Sequence, residues 1–220
     1  MQLSDFIKRI EWLKSNHPYG SACIRINIDI IIYFDPANLS EENMKKKADL
    51  ILLTHSHDDH LSIKTLEKIV KPTTIIVCPN DCEESLILEN FDFNIFTAKP
   101  SENLKLNRVK IEVIPAYSVS AHPSSAGWVG YIIELNGLRI YHSGDSGITP
   151  EMNDIKNIDI AFFTVREPYM MSPKDVIKAV EVIKPKILIP IHWIEGEESD
   201  IEYIKEYTPK STEVIVLEMI

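Results

Sequence analysis

Residues 50–60 read LILLTHSHDDH. An apolar run ends at Leu53, and the seven positions from Thr54 to His60 then hold three histidines and two aspartates. The run is short and continuous, the pattern of a buried strand bounded by a turn. His55 and His57 are two apart, so they face one way along an extended exit from that strand. Asp59 and His60 come where the chain must turn toward the next helix, and such a turn can aim both side chains at the point His55 and His57 face. Solvation alone is a poor account of this turn, because three of the chain's 7 histidines fall within six positions. Imidazole and carboxylate together suit zinc and other borderline divalent ions.

One segment cannot complete two coordination shells. Outward from it, His122 follows IEVIPAYSVSA, Asp145 follows LRIYHSG, and His192 follows KILIPI. Each is a potential ligand at or just beyond the C-terminal end of an apolar run, where many α/β folds build their sites.

The elements between these points alternate in period. MQLSDFIKRIEWLK reads as a helix with Phe6, Ile10 and Leu13 on one face. SACIRINIDIIIYFDP reads as two strands broken near Asn27 to Asp29, and TTIIVCP and FDFNIFTA as further strands. SIKTLEKIV, capped by Ser62, and DCEESLILEN are helical. In the second half, RVKIEVIPAYS, GWVGYIIEL, LRIYHSG, IDIAFFT, KILIPIHW and TEVIVLEM read as strands, with Asn136-Gly137 as a hairpin turn. SPKDVIKAVEVIK is a helix with Ser172 as cap, Pro173 at its first position and Asp175 closing a capping box. SDIEYIKEY repeats the box with Ser199 and Glu202. Strand clusters with helices between and after them predict an α/β (α+β) chain, one domain of two halves near 1–107 and 108–220. Pattern alone does not separate two sheets between outer helices from one large mixed sheet.

Bulk properties narrow the function. The chain has 220 residues, 45% hydrophobic and 25% charged, enough for a sizeable core. No apolar run approaches the roughly 18 residues of a membrane span, and the charged N-terminal stretch lacks a signal-peptide core. A cytoplasmic location is the expectation. Cys23, Cys78 and Cys82 read as ordinary thiols rather than a disulfide framework. The net charge is −10 and the one basic run is Lys45 to Lys47, so no nucleic-acid partner is expected.

The series His55-x-His57-x-Asp59-His60, then His122, Asp145 in SGDS and His192, resembles the metallo-β-lactamase superfamily signature in order and spacing, over nearly the whole chain. GWVGYIIELNGLRIYHSGDSG and IPIHW look most like its small cytoplasmic hydrolase branch, which includes ascorbate-6-phosphate lactonase. The resemblance implies an αββα sandwich of two mixed sheets flanked by helices. It implies that His55, His57 and His122 hold one metal, that Asp59, His60 and His192 hold a second, and that Asp145 bridges both. Two divalent ions follow, zinc first, with manganese, iron or nickel as alternatives. The implied activity is hydrolysis of an ester, lactone or phosphoester of a small substrate by a metal-bridging hydroxide, with Asp59 orienting it and taking its proton. Asp35 in YFDP matches a family aspartate that is either structural or a support for the ligands, and it is not itself a ligand.

Arg166, where relatives tend to have glycine, is a candidate anion clamp for the substrate, and the alternative is a surface pair with Glu167. Trp193 is a candidate pocket wall, with core packing as its alternative. His142 is either a support for the ligands or a packed strand residue. An iron-dependent thiol or persulfide dioxygenase and a non-enzymatic metal-binding scaffold are the competing functions. A membrane partner is not expected, and a homo-oligomer is left open.

Overall fold

The computed structural model describes residues 2–91, 93–118 and 121–220. The chain forms two compact units, one of residues 1–99 with 217–220, the other of residues 100–216. Among the described residues no helix is long and apolar enough to cross a membrane.

The first unit runs α1 (Leu3–Ile7), β1 (Ile10–Trp12), β2 (Ile24–Asn27), β3 (Ile31–Phe34), β4 (Leu50–Leu52), α2 (Ile63–Ile69), β5 (Ile75–Cys78), α3 (Asn80–Leu88) and β6 (Asn94–Thr97). Its sheet has the order β1-β2-β3-β4-β5-β6. The first three strands are antiparallel, and β3 to β6 are parallel. β4 lies in the middle and is buried at every position, which is why its sequence is continuous rather than alternating. Ser62 caps α2 by accepting a hydrogen bond from the Thr65 N–H. Leu53, Leu61, Leu66 and Ile69 join Ile51 and Ile76 in one core cluster. The ligand-bearing turn is therefore anchored by buried leucines on both sides.

The second unit contains β7 (Asn103–Leu106), β8 (Val109–Pro115), β9 (Val129–Leu135), β10 (Leu138–His142), β11 (Ile160–Thr164), α4 (Pro173–Ile183), β12 (Ile187–Ile191), α5 (Glu198–Tyr207) and β13 (Glu213–Val214). Its sheet has the order β13-β12-β11-β10-β9-β8-β7. It repeats the logic of the first: an antiparallel meander, β7 to β10, leads into parallel strands β10 to β13. Asn136 and Gly137 turn the β9–β10 hairpin with φ of 52° and 79°. α4 carries the full Ser172–Asp175 capping box.

Three expectations change. The N-terminal helix stops at Ile7, and Ile10–Trp12 is a strand paired with Ile24–Ile26. Phe6, Ile10 and Leu13 are buried as the helical pattern required, but strand pairing wins beyond Lys8. Ser199 is not a cap, because α5 starts at Glu198 behind Glu197. The Glu197 and Glu198 carboxylates accept from the Ile194 and Gly196 N–H groups, fixing the start two residues earlier. The C-terminal strand covers Glu213–Val214 alone. Its partner β12 contains Pro190, which has no N–H to offer on that side, so the ladder ends at Leu188–Val214. β7, a half-exposed edge strand, gave no clear sequence signal.

Gly130 in β9 lies against the end of β10. A Cβ there would stand 2.6 Å from the His142 carbonyl oxygen and 2.8 Å from that of Ser143. Gly130→Ala is expected to lower unfolding free energy by about 1–3 kcal/mol through overpacking, measured by urea denaturation. An unchanged midpoint would mean that β9 and β10 can separate at no cost.

Candidate metal centre

In the first unit, the Leu53 N–H still pairs with Val77, and the chain leaves the sheet at Thr54. The fully buried Asp35, just past β3, receives this exit. Its Oδ1 accepts from the Thr54 N–H at 2.7 Å, and its Oδ2 accepts from the Thr54 hydroxyl at 2.7 Å. His60 Nδ1 lies 2.9 Å from the same Oδ2. A carboxylate can only accept, so His60 carries its hydrogen on Nδ1 and its lone pair on Nε2. The Thr54 hydroxyl has given its hydrogen to Asp35. It can therefore only accept from His55 Nδ1, 3.0 Å away, which leaves the His55 lone pair on Nε2 as well. Both tautomers are those of metal-binding histidines oriented by acceptors behind them.

His55 Nε2 approaches His57 Nδ1 to 2.9 Å. The turn is closed by the His60 and Leu61 N–H groups, both donating to the His57 carbonyl at 2.9 and 2.8 Å. Asp59 Oδ2 sits 3.9 Å from His60 Nε2. His55, Asp59 and His60 are buried. Asp58 points outward, with His17 Nε2 3.4 Å from its Oδ1, and the Asn38 amide holds the Asp58 carbonyl at 2.6 Å.

In the second unit, Asp145 stands on a turn just past β10. Gly144 takes φ of 58°. Its carbonyl accepts from the Thr164 hydroxyl at 2.7 Å and the Ser146 N–H at 2.9 Å. Asp145 Oδ2 lies 3.4 Å from His122 Nε2 and 3.7 Å from His192 Nε2. One carboxylate oxygen between two imidazole nitrogens is a donor set that suits a shared cation. All three side chains are nearly inaccessible to solvent. His192 follows β12 directly and has φ of 68°, a conformation unfavourable for any residue with a Cβ.

The seven predicted ligands thus form two groups: His55, His57, Asp59 and His60 converge in the first unit, and His122, Asp145 and His192 in the second. Asp35 contacts His60 directly and His55 through Thr54, the supporting one of the two roles the resemblance left open. His142 is fully buried in its strand, and its Nδ1 accepts from the Gly144 N–H at 3.1 Å, so it shapes the Asp145 turn. Arg166 has its Nε 3.7 Å from Glu197 Oε1, a partner not foreseen beside Glu167. Trp193 is half-buried and packs against the second unit's core cluster. Sequence reading missed Thr54, Ser118 and the carbonyl of Tyr169, which contact ligand histidines through hydroxyl and backbone atoms that leave no composition signal. Cys78 and Cys82 are free and buried, and burial pushes the Cys78 thiol up to about 12, which fits inert packing residues.

Comparison with known proteins agrees with this architecture. The description of the beta-lactamase superfamily domain matches residues 10–192. A protein from Thermococcus onnurineus named metal-dependent hydrolase is 32% identical over 203 residues, 88% of each chain. The crystal structure of a candidate metal-dependent hydrolase from Parabacteroides distasonis has TM-score 0.80 at 30% identity, covering 92% of this chain and 91% of that one. A metallo hydrolase from Ignicoccus hospitalis shares the fold at 20% identity, with TM-score 0.73 and coverage of 95% and 94%. The chain belongs to the β-lactamase superfamily and has the metallo-β-lactamase fold, two mixed sheets flanked by helices.

Asp35→Asn replaces an oxygen that only accepts with an amide that must point donors at one of its three partners. It is expected to cost about 1.5–3 kcal/mol in stability and to weaken zinc binding about 10–100-fold. Chemical denaturation and chelator competition measure the two effects. Full zinc affinity in this variant would remove Asp35 from the support of His60.

Proposed function

We propose that this chain is a metal-dependent hydrolase whose seven ligands together hold two divalent ions and act on an ester, lactone or phosphoester of a small substrate. The observation that carries this reading is the orientation of the histidines. In His55 and His60 the nitrogen away from the ligand turn is committed to an acceptor, which leaves Nε2 as the lone-pair atom. Buried histidines arranged for packing have no need of that uniformity. In our reading His55, His57 and His122 bind one ion, Asp59, His60 and His192 the other, and Asp145 both, as in the family the chain belongs to. Zinc is the ion we favour, as the resemblance implies, and a nitrogen and carboxylate donor set also suits manganese, iron or nickel.

Bound ions of this kind supply a water of pKa about 7 and polarise a substrate oxygen. The protein's own part is positioning and proton handling. Asp59 orients the attacking water and takes its proton, and the same carboxyl then returns a proton to the leaving oxygen. Asp145, held by the Gly144 turn, keeps its charge in place with no reorganisation during the reaction. Arg166 contacts an anionic group of the substrate, and Trp193 forms an apolar wall. A small-molecule substrate fits the acidic chain better than a nucleic acid, since net charge of −10 repels an extended polyanion.

The first test is elemental analysis of the purified protein by plasma mass spectrometry. About two zinc or manganese ions per chain are expected. Two irons would redirect the assignment to oxygen and sulfur chemistry, and little metal after reconstitution would favour a scaffold. His57→Ala and Asp145→Ala are each expected to lower metal occupancy and hydrolysis of a lactone and phosphodiester panel together. Normal occupancy and normal turnover in both would overturn the ligand assignment.

A further inference from the structure

We infer that Ser118, with the carbonyl of Tyr169, is a positioning residue that sets the tautomer of His122 and through it the affinity of the metal site. The inference rests on the reading of His122 as a ligand given above, and it assigns a role to Ser118 and the Tyr169 carbonyl, which that reading leaves unused.

The geometry is a set of donors and acceptors within the second unit. The Ser118 hydroxyl donates to the Tyr169 carbonyl oxygen at 2.6 Å. The Ser118 N–H donates to the carbonyl of His122 at 2.7 Å, so the serine holds the histidine's own backbone as well. His122 Nδ1 lies 3.2 Å from the Tyr169 oxygen and 3.4 Å from Ser118 Oγ. The serine has one hydroxyl hydrogen, and it is spent on Tyr169. Toward His122, both neighbours of Nδ1 can therefore only accept. Nδ1 must carry the hydrogen, and Nε2 is left with the lone pair, 3.4 Å from Asp145 Oδ2. Were the serine hydroxyl lost, Nδ1 would keep one acceptor, the Tyr169 oxygen, and that oxygen would lose the hydroxyl that holds it beside the ring.

The carbonyl in question is held in place. Residues 165–171 form a loop whose ends pair through Val165 and Met171. Inside it, the Tyr169 and Met170 N–H groups donate to the Arg166 carbonyl at 3.0 and 2.9 Å. Ser172, the next residue, caps α4. Tyr169 thus turns its ring to solvent, 49% exposed, while its carbonyl faces inward to Ser118 and His122. A backbone acceptor fixed between a turn and a capped helix orients an imidazole more firmly than a mobile side chain would. Arg166 lies on this same loop.

The experiment uses the full chain as Ser118→Ala, Ser118→Thr and His122→Ala. Zinc affinity is read by chelator competition, and the His122 tautomer by two-bond nitrogen–proton NMR of the zinc-free protein. Wild type should show the Nδ1–H form. Ser118→Ala is expected to weaken binding of one zinc about 10–100-fold and to shift His122 toward a tautomer mixture. Ser118→Thr, which keeps the hydroxyl, should restore both. His122→Ala separates the two possible failures. Wild-type zinc stoichiometry in His122→Ala would overturn His122 as a ligand. Loss of zinc in His122→Ala, with affinity and tautomer unchanged in Ser118→Ala, would overturn the positioning role alone.

Discussion

A buried carboxylate just past β3 is the constraint from which the first unit's ligand turn follows. Asp35 is wholly inaccessible and would be costly to bury as an ion without partners. Three donors converge on it: the N–H and hydroxyl of Thr54 and the imidazole of His60. Each hydrogen bond to a charged acceptor is worth more than a neutral one, and each also fixes a part of the turn. The backbone bond sets where β4 releases the chain. The hydroxyl bond turns Thr54 into an acceptor for His55. The imidazole bond sets the tautomer of His60. One buried charge thereby determines the orientation of two ligands that are five positions apart in sequence.

The second unit reaches the same end without a buried acid behind its histidine. Ser143, Thr164 and the Gly144 carbonyl form a neutral network under the Asp145 turn. Ser118 and Tyr169 supply acceptors for His122. Both units place the proposed ligands past strand ends: past β4 in the first, and past β8, β10 and β12 in the second, where the chain leaves the sheet and side chains are free of the pleat. The backbone bears a cost at these points. Among the described residues other than glycine with positive φ, five are asparagines, the residue that tolerates it best, but Asp35 and His192 are also there. Strain of this kind persists where neighbouring structure fixes it, and here the neighbours are β4 for Asp35 and β11 for His192.

Much of this was legible in residue order because the proposed ligands sit where apolar runs stop. LILLTHSHDDH marks a strand end and a ligand set in one stretch, and IPIHW and YHSGD do so again. What was not legible has two physical sources. Boundaries shifted where tertiary pairing overrode a local pattern, as at Ile10–Trp12, or where a partner strand could not donate, as at Pro190. The supporting contacts were hidden because a threonine hydroxyl, a serine hydroxyl and a main-chain carbonyl have no signature until the chain is folded. Asp35 was found because a family pattern marks it. Ser118 has no such mark, and its role follows from counting hydrogens.

The same counting explains why an aspartate stands at position 145. Its Oδ2 lies between two imidazole nitrogens, at 3.4 Å from His122 and 3.7 Å from His192. With His122 locked as the Nδ1–H tautomer, that side of the carboxylate meets a lone pair rather than a donor. Two acceptors held face to face in a water-poor place repel unless a cation lies between them. An asparagine could relieve the contact by presenting its amide hydrogens, and would then compete with a metal for the histidine. The carboxylate cannot do so. In the reading of both residues as ligands, the turn under Asp145 and the lock behind His122 therefore act together: they hold two acceptors toward each other, an arrangement that a bound cation relieves.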